Sequence, residues 1–156
     1  MRIILLGNGT KQGVCETVEK LRSEIEHRAT IVAEDWSGKE DFSQVQADLA
    51  IVFGGDGSIL RAVSQIGANP IPVLTVHLGT LSFLSTIRAD ELIDLLDRPD
   101  LLQLPVIRHL LLDCKLFRNR DNGLFSEPDE SRLALNEIVI HGDTTSRLIS
   151  VEMYIN

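Results

Sequence analysis

Three glycines and one carboxylate occur together in the run Gly54-Gly55-Asp56-Gly57-Ser58, between an apolar segment and an amphipathic one. Glycines leave the main chain bare and able to adopt positive φ, so a bulky ligand can approach it closely. The first turn of a following helix presents unpaired N–H groups and a partial positive charge. Together these features predict an anion site, most naturally for phosphates, built on Gly54, Gly55, Gly57 and Ser58.

Asp56 is the unusual member of this loop, because a carboxylate repels phosphate. Its charge suits two roles, which are to accept a proton from an attacking hydroxyl or to bind a metal ion carried by a nucleotide. The alternative is a tight turn in which Asp56 acts as the N-cap of the helix. The motif by itself leaves these interpretations open.

A second glycine-rich loop, at residues 7–13, also joins a predicted strand to a predicted helix. It is one residue longer between its second and third glycines than the dinucleotide-binding fingerprint. Glu34 or Asp35 could take the acidic, ribose-binding position of that motif, which makes a nicotinamide-dependent oxidoreductase an alternative. The simpler interpretation is a glycine turn in which Thr10 caps the first helix.

Two polar residues, Asn136 and Glu137, interrupt a predicted apolar strand at residues 133–141. Consecutive strand residues face opposite sides, and a buried, unpaired glutamate would be costly. The pair therefore lines a ligand cleft or lies on a polar outer face. The four histidines show no metal-ligand spacing, although His77 follows a predicted strand and could face the same cleft as Asp56.

The elements that must position these residues alternate between strand and helix through the first two-thirds of the chain. The predicted strands cover residues 2–6, 30–33, 49–53 and 73–76, and the predicted helices cover residues 10–27, 59–66 and 90–97. This order favours a three-layer α/β domain, in which helices cover both faces of a parallel sheet.

The pattern changes near residues 99–105, after which strands are predicted at 107–117, 133–141 and 148–155, with a polar loop at 119–131. We therefore expect an α/β nucleotide-binding domain at residues 1–101 and the first strands of an incomplete β-rich domain at residues 102–156. The sequence ends in the middle of a predicted strand, which suggests a fragment or a sheet that a partner completes. Of these two, we expect a fragment.

The composition is that of a soluble globular chain, with 156 residues, 44% hydrophobic and 24% charged. A formal net charge of -8 argues against nucleic-acid or anionic-membrane surfaces, but not against small anionic ligands. The apolar run at residues 3–6 is too short for a signal peptide or a membrane span. Cys15 and Cys114 lack metal-ligand spacing, so we expect reduced thiols and a cytoplasmic location.

Four features, taken in order, resemble the NAD kinase family, whose members use ATP or polyphosphate to convert NAD to NADP. They are residues 54–61, residues 72–84, residues 134–141, and Arg147, which lies eleven residues beyond Asn136. The Gly-Gly-Asp-Gly core alone is shared with phosphofructokinases and diacylglycerol-type lipid kinases, whereas the ordered set is far more specific. The resemblance covers essentially the whole chain but only about the first half of the family's usual length.

The resemblance implies that NAD binds between the α/β domain and the β-rich domain. Asp56 would match the proton acceptor for the adenosine ribose 2′-hydroxyl, and Phe83 the aromatic residue that packs on a base of NAD. Gly57 and Arg61 would match positions near the dinucleotide or the phosphates. The NAD contacts from the second domain would be Asn136, Glu137 and Arg147, and a neighbouring subunit could supply Arg147.

The resemblance also implies NAD and ATP as substrates, a divalent metal ion such as magnesium, and a homodimer or homotetramer without nucleic-acid or membrane partners. The sequence departs from the family pattern at Ser58, where Thr is commoner, at Ser82, where Gly is usual, and at His77, where Asn is frequent. The family's downstream segment rich in Gly, Thr, Ser and Tyr lies outside these 156 residues, so the chain alone could be inactive. The alternatives are a catalytically inactive dinucleotide-binding or oligomerisation module and a diacylglycerol-type lipid kinase.

Overall fold

A computed structural model describes residues 1–79, 83–84, 86–117, 127–142 and 150–154. Its main sheet contains β1 (Arg2–Gly7), β2 (Thr30–Asp35), β3 (Leu49–Phe53), β4 (Val73–His77) and β5 (Ile87–Arg88). The helices are α1 (Val14–Arg28), α2 (Asp56–Ile66) and α3 (Leu92–Leu96), with 3₁₀ turns at Ala89–Glu91 and Leu101–Gln103. A separate antiparallel pair is formed by β6 (Leu112–Leu116) and β7 (Glu130–Ala134).

All five strands of the main sheet are parallel, in the order β2-β1-β3-β4-β5. The chain begins in the sheet at β1, passes to β2 on one side and returns to β3 on the other. Sheets of this kind bind ligands in the crevice outside the carboxyl ends of the strands, where the strand order reverses. Here that point lies between β1 and β3, whose final residues Gly7 and Phe53 are register partners.

The core lies on both faces of this sheet because alternate strand residues point in opposite directions. On one face, Ile3, Leu5, Ile51 and Phe53 pack with apolar residues of α1 and α3. On the other face lie Ile4, Leu6, Ala50 and Val52, with Phe42 and apolar residues of α2. The continuous apolar sequence of β3 is thus explained by burial on two sides, and the predicted three-layer α/β class is confirmed.

The first helix begins later than the sequence pattern predicted. Its N-cap is Gly13, and α1 starts at Val14 instead of at residue 10. Thr10 donates its backbone N–H and its hydroxyl to Asn8 Oδ1, at 3.1 and 2.7 Å, so the prediction that Thr10 caps α1 was wrong. The local turn around Asn8 takes these residues out of the helical pattern.

The region beyond residue 101 is β-rich, as predicted, and its two described strands pair antiparallel, with limits that differ from the predicted ones. β6 is shorter than the predicted strand at 107–117. β7 overlaps the predicted strand at 133–141 only at its end, because it runs from Glu130 to Ala134. Residues 150–154 are not in a strand, and the rest of the predicted last strand lies outside the described residues. The apolar residues that suggested longer strands are exposed, among them Ile107, Val139, Ile140 and Met153. The division at residue 101 stays a prediction.

In the described part of the chain, every helix is too short or too polar to cross a bilayer. The second sheet is attached to the first domain by packing of β7 against α2. Leu135, which follows β7, lies against the core cluster on the α2 face of the main sheet. The beginning of the second region is thereby held beside the helix that starts at Asp56.

Candidate functional site

Gly54 sets the geometry of the loop between β3 and α2. Its φ angle is 138°, a conformation that residues with a Cβ rarely adopt, and an added Cβ would overlap the side chain of Ser58. Its N–H donates to Val76 O in β4 at 2.9 Å, which fixes the loop to the neighbouring strand. The bare main chain predicted here is therefore a requirement of the fold at Gly54.

Asp56 is the first residue of α2 and joins two loops that are distant in sequence. Its Oδ1 accepts the N–H of Leu84 at 2.9 Å, and its Oδ2 accepts the N–H of Phe83 at 3.3 Å. The N-cap of α2 is Gly55, so the interpretation of Asp56 as a capping residue was wrong. The half-buried carboxylate instead holds the segment that follows β4 at the carboxyl edge of the sheet.

The segment with Phe83 and Leu84 is fastened from a second direction as well. Leu84 O accepts the hydroxyl of buried Thr75 at 2.8 Å, and Thr86 N–H donates to Thr75 O at 3.1 Å. These bonds fix the backbone on both sides of Leu84, yet the ring of Phe83 is fully exposed. An aromatic ring on an anchored backbone is suited to stack on a planar ligand group.

The remaining residues of the Gly-Gly-Asp-Gly loop occupy contrasting environments. Gly57 is exposed in the first turn of α2, and a Cβ added there would meet no atom within 4 Å. Ser58 is buried, and its hydroxyl has no hydrogen-bond partner among the described residues. A ligand can therefore approach the start of α2 at Gly57. The first N–H groups of a helix have no acceptor within the helix, so they can donate to a ligand.

Arg61 is half-buried on α2, where its side chain lies across Gly38 of the loop after β2. It has no carboxylate within ion-pair distance among the described residues. Five other arginines in the described part of the chain lie within 4.0 Å of a carboxylate, whereas Arg2 and Arg108 do not: the paired ones are Arg22, Arg28, Arg88, Arg98 and Arg132. No carboxylate in the described ranges therefore neutralises the Arg61 guanidinium.

Asp35 is a buried carboxylate whose structural role the sequence did not show. It is buried at the end of β2, and its two oxygens accept five hydrogen bonds, from Ser37 N and Oγ, Lys39 N, Glu40 N and Gln65 Nε2. Burial by itself raises the pKa of Asp35, but the hydrogen bonds outweigh it and hold the pKa well below its usual range. The suggested ribose-binding role of Asp35 was wrong, because its carboxylate is buried and already accepts five hydrogen bonds from the chain itself.

The lowered pKa of Asp35 predicts an acid-dependent loss of stability. A carboxyl with a lower pKa in the folded state stabilises the fold above its unfolded pKa of about 3.9, and this contribution is lost as the pH falls through the folded pKa. We expect the difference in unfolding free energy between wild type and Asp35→Asn to shrink as the pH falls from about 6 toward 2. Urea unfolding followed by circular dichroism measures it.

The control for this experiment is Asp97→Asn. Asp97 also has a lowered pKa, through its hydrogen bond with Arg28, but its side chain is exposed, so its contribution should be small. The wild type and Asp35→Asn would differ by the same unfolding free energy at every pH if the ionised Asp35 carboxylate did not stabilise the loop. That result would contradict the assignment.

The glycine-rich loop at residues 7–13 accommodates Trp36. A Cβ on Gly7 would lie 2.9 Å from the Trp36 ring, and a Cβ on Gly9 would lie 3.0 Å from Trp36 Cβ. Gly9 N–H also donates to Trp36 O at 2.9 Å. The packing of Trp36, which lies 23 residues or more beyond the loop in sequence, explains why these positions are glycine. A bound pyrophosphate is not needed to explain them.

Asn136 and Glu137 lie beyond the end of β7, both exposed. The prediction that they interrupt a strand was wrong, because β7 ends at Ala134, before them. The apolar residues at 138–140 are not in a strand. They are near α2 in the fold through the contact of β7 with that helix. Arg147 lies outside the described residues.

His77 ends β4, next to the strand that leads to Asp56, and its ring Nδ1 lies 3.0 Å from Gly79 O. Its position agrees with the predicted edge of the sheet, while its hydrogen bond is local. Within the described ranges, no three His, Cys, Asp or Glu side chains are grouped in a way that could hold a metal ion.

Comparison with known proteins agrees with the family resemblance of the sequence. The family model described as ATP-NAD kinase N-terminal domain matches residues 4–99. An NAD kinase of Rhodopirellula baltica is 33% identical over 153 residues, which are 98% of this chain and 47% of the relative. An NAD kinase of Geobacter sp. (strain M21) is 31% identical over 145 residues, 93% of this chain and 47% of the relative.

A solved structure of yeast NADH kinase complexed with NADH aligns with a TM-score of 0.66, over 87% of this chain and 47% of the yeast chain. Its sequence identity of 19% limits that likeness to the fold. The chain spans about half the length of the curated relatives it matches. Since the family model covers residues 4–99 of 156, this chain belongs to the NAD kinase family.

Proposed function

We propose that this chain carries the catalytic aspartate and part of the nucleotide site of an NAD kinase. The reaction would transfer a phosphoryl group from ATP, or from polyphosphate, to the adenosine ribose 2′-hydroxyl of NAD. The observation that carries the proposal is the position of Asp56, which starts α2 after the positive-φ turn at Gly54 and is hydrogen-bonded to the backbone that presents Phe83.

Phosphoryl transfer depends mainly on positioning and on neutralisation of charge. Gly55, Gly57 and the first N–H groups of α2 would bind the phosphates of the donor, together with the Arg61 guanidinium. The ribose hydroxyl oxygen would form a bond to the transferred phosphorus while the bond from phosphorus to the leaving oxygen breaks. The hydroxyl proton would pass to Asp56.

A divalent ion, which we expect to be magnesium, would neutralise charge on the donor phosphates. Magnesium in kinases is commonly held by one or two carboxylates together with the phosphates of the substrate. Asp56 lies between Gly55 and Gly57, the proposed phosphate-binding residues, and is the carboxylate that would help to hold the ion.

The dinucleotide would bind between the loop of Asp56 and the second sheet. Phe83 would stack on a base of NAD, and Asn136, Glu137 and Arg147 would supply polar contacts from the second domain. The packing of β7 against α2 supports this arrangement, since it holds the β7 end near the helix that begins at Asp56.

Replacing Phe83 with alanine should weaken NAD binding roughly tenfold, because stacking of a base on an aromatic ring contributes about 1–3 kcal/mol. Folding stability should not change, since the ring is fully exposed. Titration calorimetry with NAD on Phe83→Ala, Phe83→Trp and Phe117→Ala measures the effect. Phe83→Trp should retain affinity, and Phe117→Ala, just after β6, is a control for the loss of an aromatic ring outside the proposed site. Equal NAD affinity in all variants would exclude Phe83 from the site.

The activity itself is tested by incubating the chain with NAD and ATP, or with polyphosphate, and measuring NADP. The chain is assayed by itself and joined to the second half of the Rhodopirellula baltica relative. We expect NADP from the joined form, which restores the length of that relative. Binding of nucleotides without NADP in either form would favour an inactive module, and phosphorylation of diacylglycerol would favour a lipid kinase.

We extend the proposal to a homo-oligomer that works in the cytoplasm. Large exposed apolar side chains on and beyond the second sheet, including Leu110, Val139 and Tyr154, support burial against further protein. Cys15 and Cys114 are free thiols, which suits a reducing compartment. Light scattering on the active form measures the number of subunits.

A further inference from the structure

The loop between β2 and β3 is fixed to α2 by Asp35 and Gln65. Gln65 Nε2 donates to Asp35 Oδ2 at 2.7 Å and to Glu40 O at 3.0 Å, and Gln65 O accepts the N–H of Phe42 at 2.8 Å. Both Asp35 and Gln65 are at least nine-tenths buried. The loop can therefore move only if this buried network opens.

Gly38 is the part of this loop that reaches Arg61. Arg61 and Gln65 are four residues apart in α2, so they share one face of the helix, and the loop held by Gln65 lies along that face. An added Cβ at Gly38 would overlap Arg61 Cδ and would lie 2.8 Å from Nε. Gly38 has a φ angle of 76°, so the close approach also needs a glycine conformation.

The Arg61 side chain is therefore placed by backbone contact without an ion pair. In a chain with a formal net charge of -8, a half-buried guanidinium that meets no carboxylate among the described residues is positioned for an anion from outside. The five bonds to Asp35 fix the loop that holds it. An uncharged side chain at position 35 would turn one acceptor into a donor facing other donors.

We propose that Asp35 is a positioning residue for phosphate recognition, acting through the loop at residues 36–40 to hold the Arg61 side chain against Gly38, where its guanidinium would meet a bound phosphate. The phosphate role of Arg61 rests on the proposed function, whereas the mechanical link from Asp35 to Arg61 does not. The ligand class is a polyphosphate chain, either inorganic or as part of ATP.

The test is a double-mutant cycle in binding. The affinities of inorganic tripolyphosphate and of ATP are measured by calorimetry for wild type, Asp35→Asn, Arg61→Ala and the double variant. We expect Asp35→Asn to weaken binding roughly tenfold in the wild-type background and less than about twofold when Arg61 is already alanine. Equal losses in both backgrounds would overturn the proposal, because Asp35 would then act independently of Arg61.

A second readout follows the arginine directly. In nitrogen-15 arginine-labelled protein, the Nε–H signal of Arg61 should shift and sharpen in Asp35→Asn, while the signal of Arg28, which is paired with Asp97, should stay in place. An unchanged Arg61 signal would overturn the link. If Asp35→Asn does not fold, Gly38→Ala displaces Arg61 with Asp35 intact, and the same changes in signal and affinity are expected.

The two proposals can fail separately. Coupled losses of tripolyphosphate affinity without NADP formation would support the positioning role of Asp35 and contradict the kinase. NADP formation with no coupling between Asp35 and Arg61 would support the kinase and overturn the positioning role.

Discussion

Replacing Asp56 with asparagine is expected to lower kcat for NADP formation by a factor of about 10²–10⁴, with ATP affinity changed less than twofold. The amide oxygen can keep the 2.9 Å bond from the Leu84 N–H, and of these two bonds only the longer one, from the Phe83 N–H, is lost. The loop should stay in place because Thr75 also bonds to Leu84 O and to the Thr86 N–H. The amide cannot take a proton from the ribose hydroxyl. The measurement is steady-state kinetics in whichever form, the chain alone or the joined form, turns over NAD.

The matched control for Asp56→Asn is Asp94→Asn. Asp94 is an exposed residue of α3 and is not one of the residues of the proposed site, so its removal should leave kcat unchanged. Wild-type turnover in Asp56→Asn would mean that another group accepts the proton. Loss of ATP binding together with turnover would instead assign Asp56 to the integrity of the loop.

Replacing Leu5 with alanine is expected to reduce the unfolding free energy by about 2–5 kcal/mol, which is a large part of the stability of a domain of this size. Leu5 is completely buried in β1, the strand between β2 and β3, and packs with the α1 side of the core. Truncation leaves a cavity in addition to the lost burial of apolar surface. Urea unfolding followed by circular dichroism measures the change.

The same substitution at an exposed position separates burial from side-chain chemistry. Leu110 is 92% exposed, so Leu110→Ala should change the unfolding free energy by less than about 0.5 kcal/mol. Similar losses for Leu5→Ala and Leu110→Ala would contradict the described core, since they would mean that both side chains are equally buried in solution.

The sequence predicted the α/β architecture well because its strands are buried on two sides. A strand such as β3 reads as an uninterrupted apolar run, and α2 reads as a stripe of apolar residues ending at Gly67. The second region was predicted less well. Its apolar residues, such as Ile140, are exposed in the structure, so hydrophobicity there did not mark strand limits.

The candidate site was predicted only where the chemistry is local in sequence. The Gly-Gly-Asp-Gly loop is contiguous, and its resemblance to a family supplied the role of Asp56. The bonds from Asp56 to residues 83 and 84 span 27 and 28 positions, and no local pattern indicates them. The sequence suggested a ligand-binding role for Asp35. Its five hydrogen bonds, one of them from Gln65, form only in the folded loop, so the sequence could not reveal its structural role.

The packing of Trp36 against the first glycine loop gives this protein an intrinsic fluorophore at a useful place. Trp36 is the chain's single tryptophan, it contacts Gly7 and Gly9, and its ring centroid lies 6.2 Å from that of Phe53, the residue before Gly54. It also directly follows Asp35. Its emission should therefore respond to nucleotide entering the crevice between β1 and β3, so unlabelled protein can serve for rapid-mixing measurements.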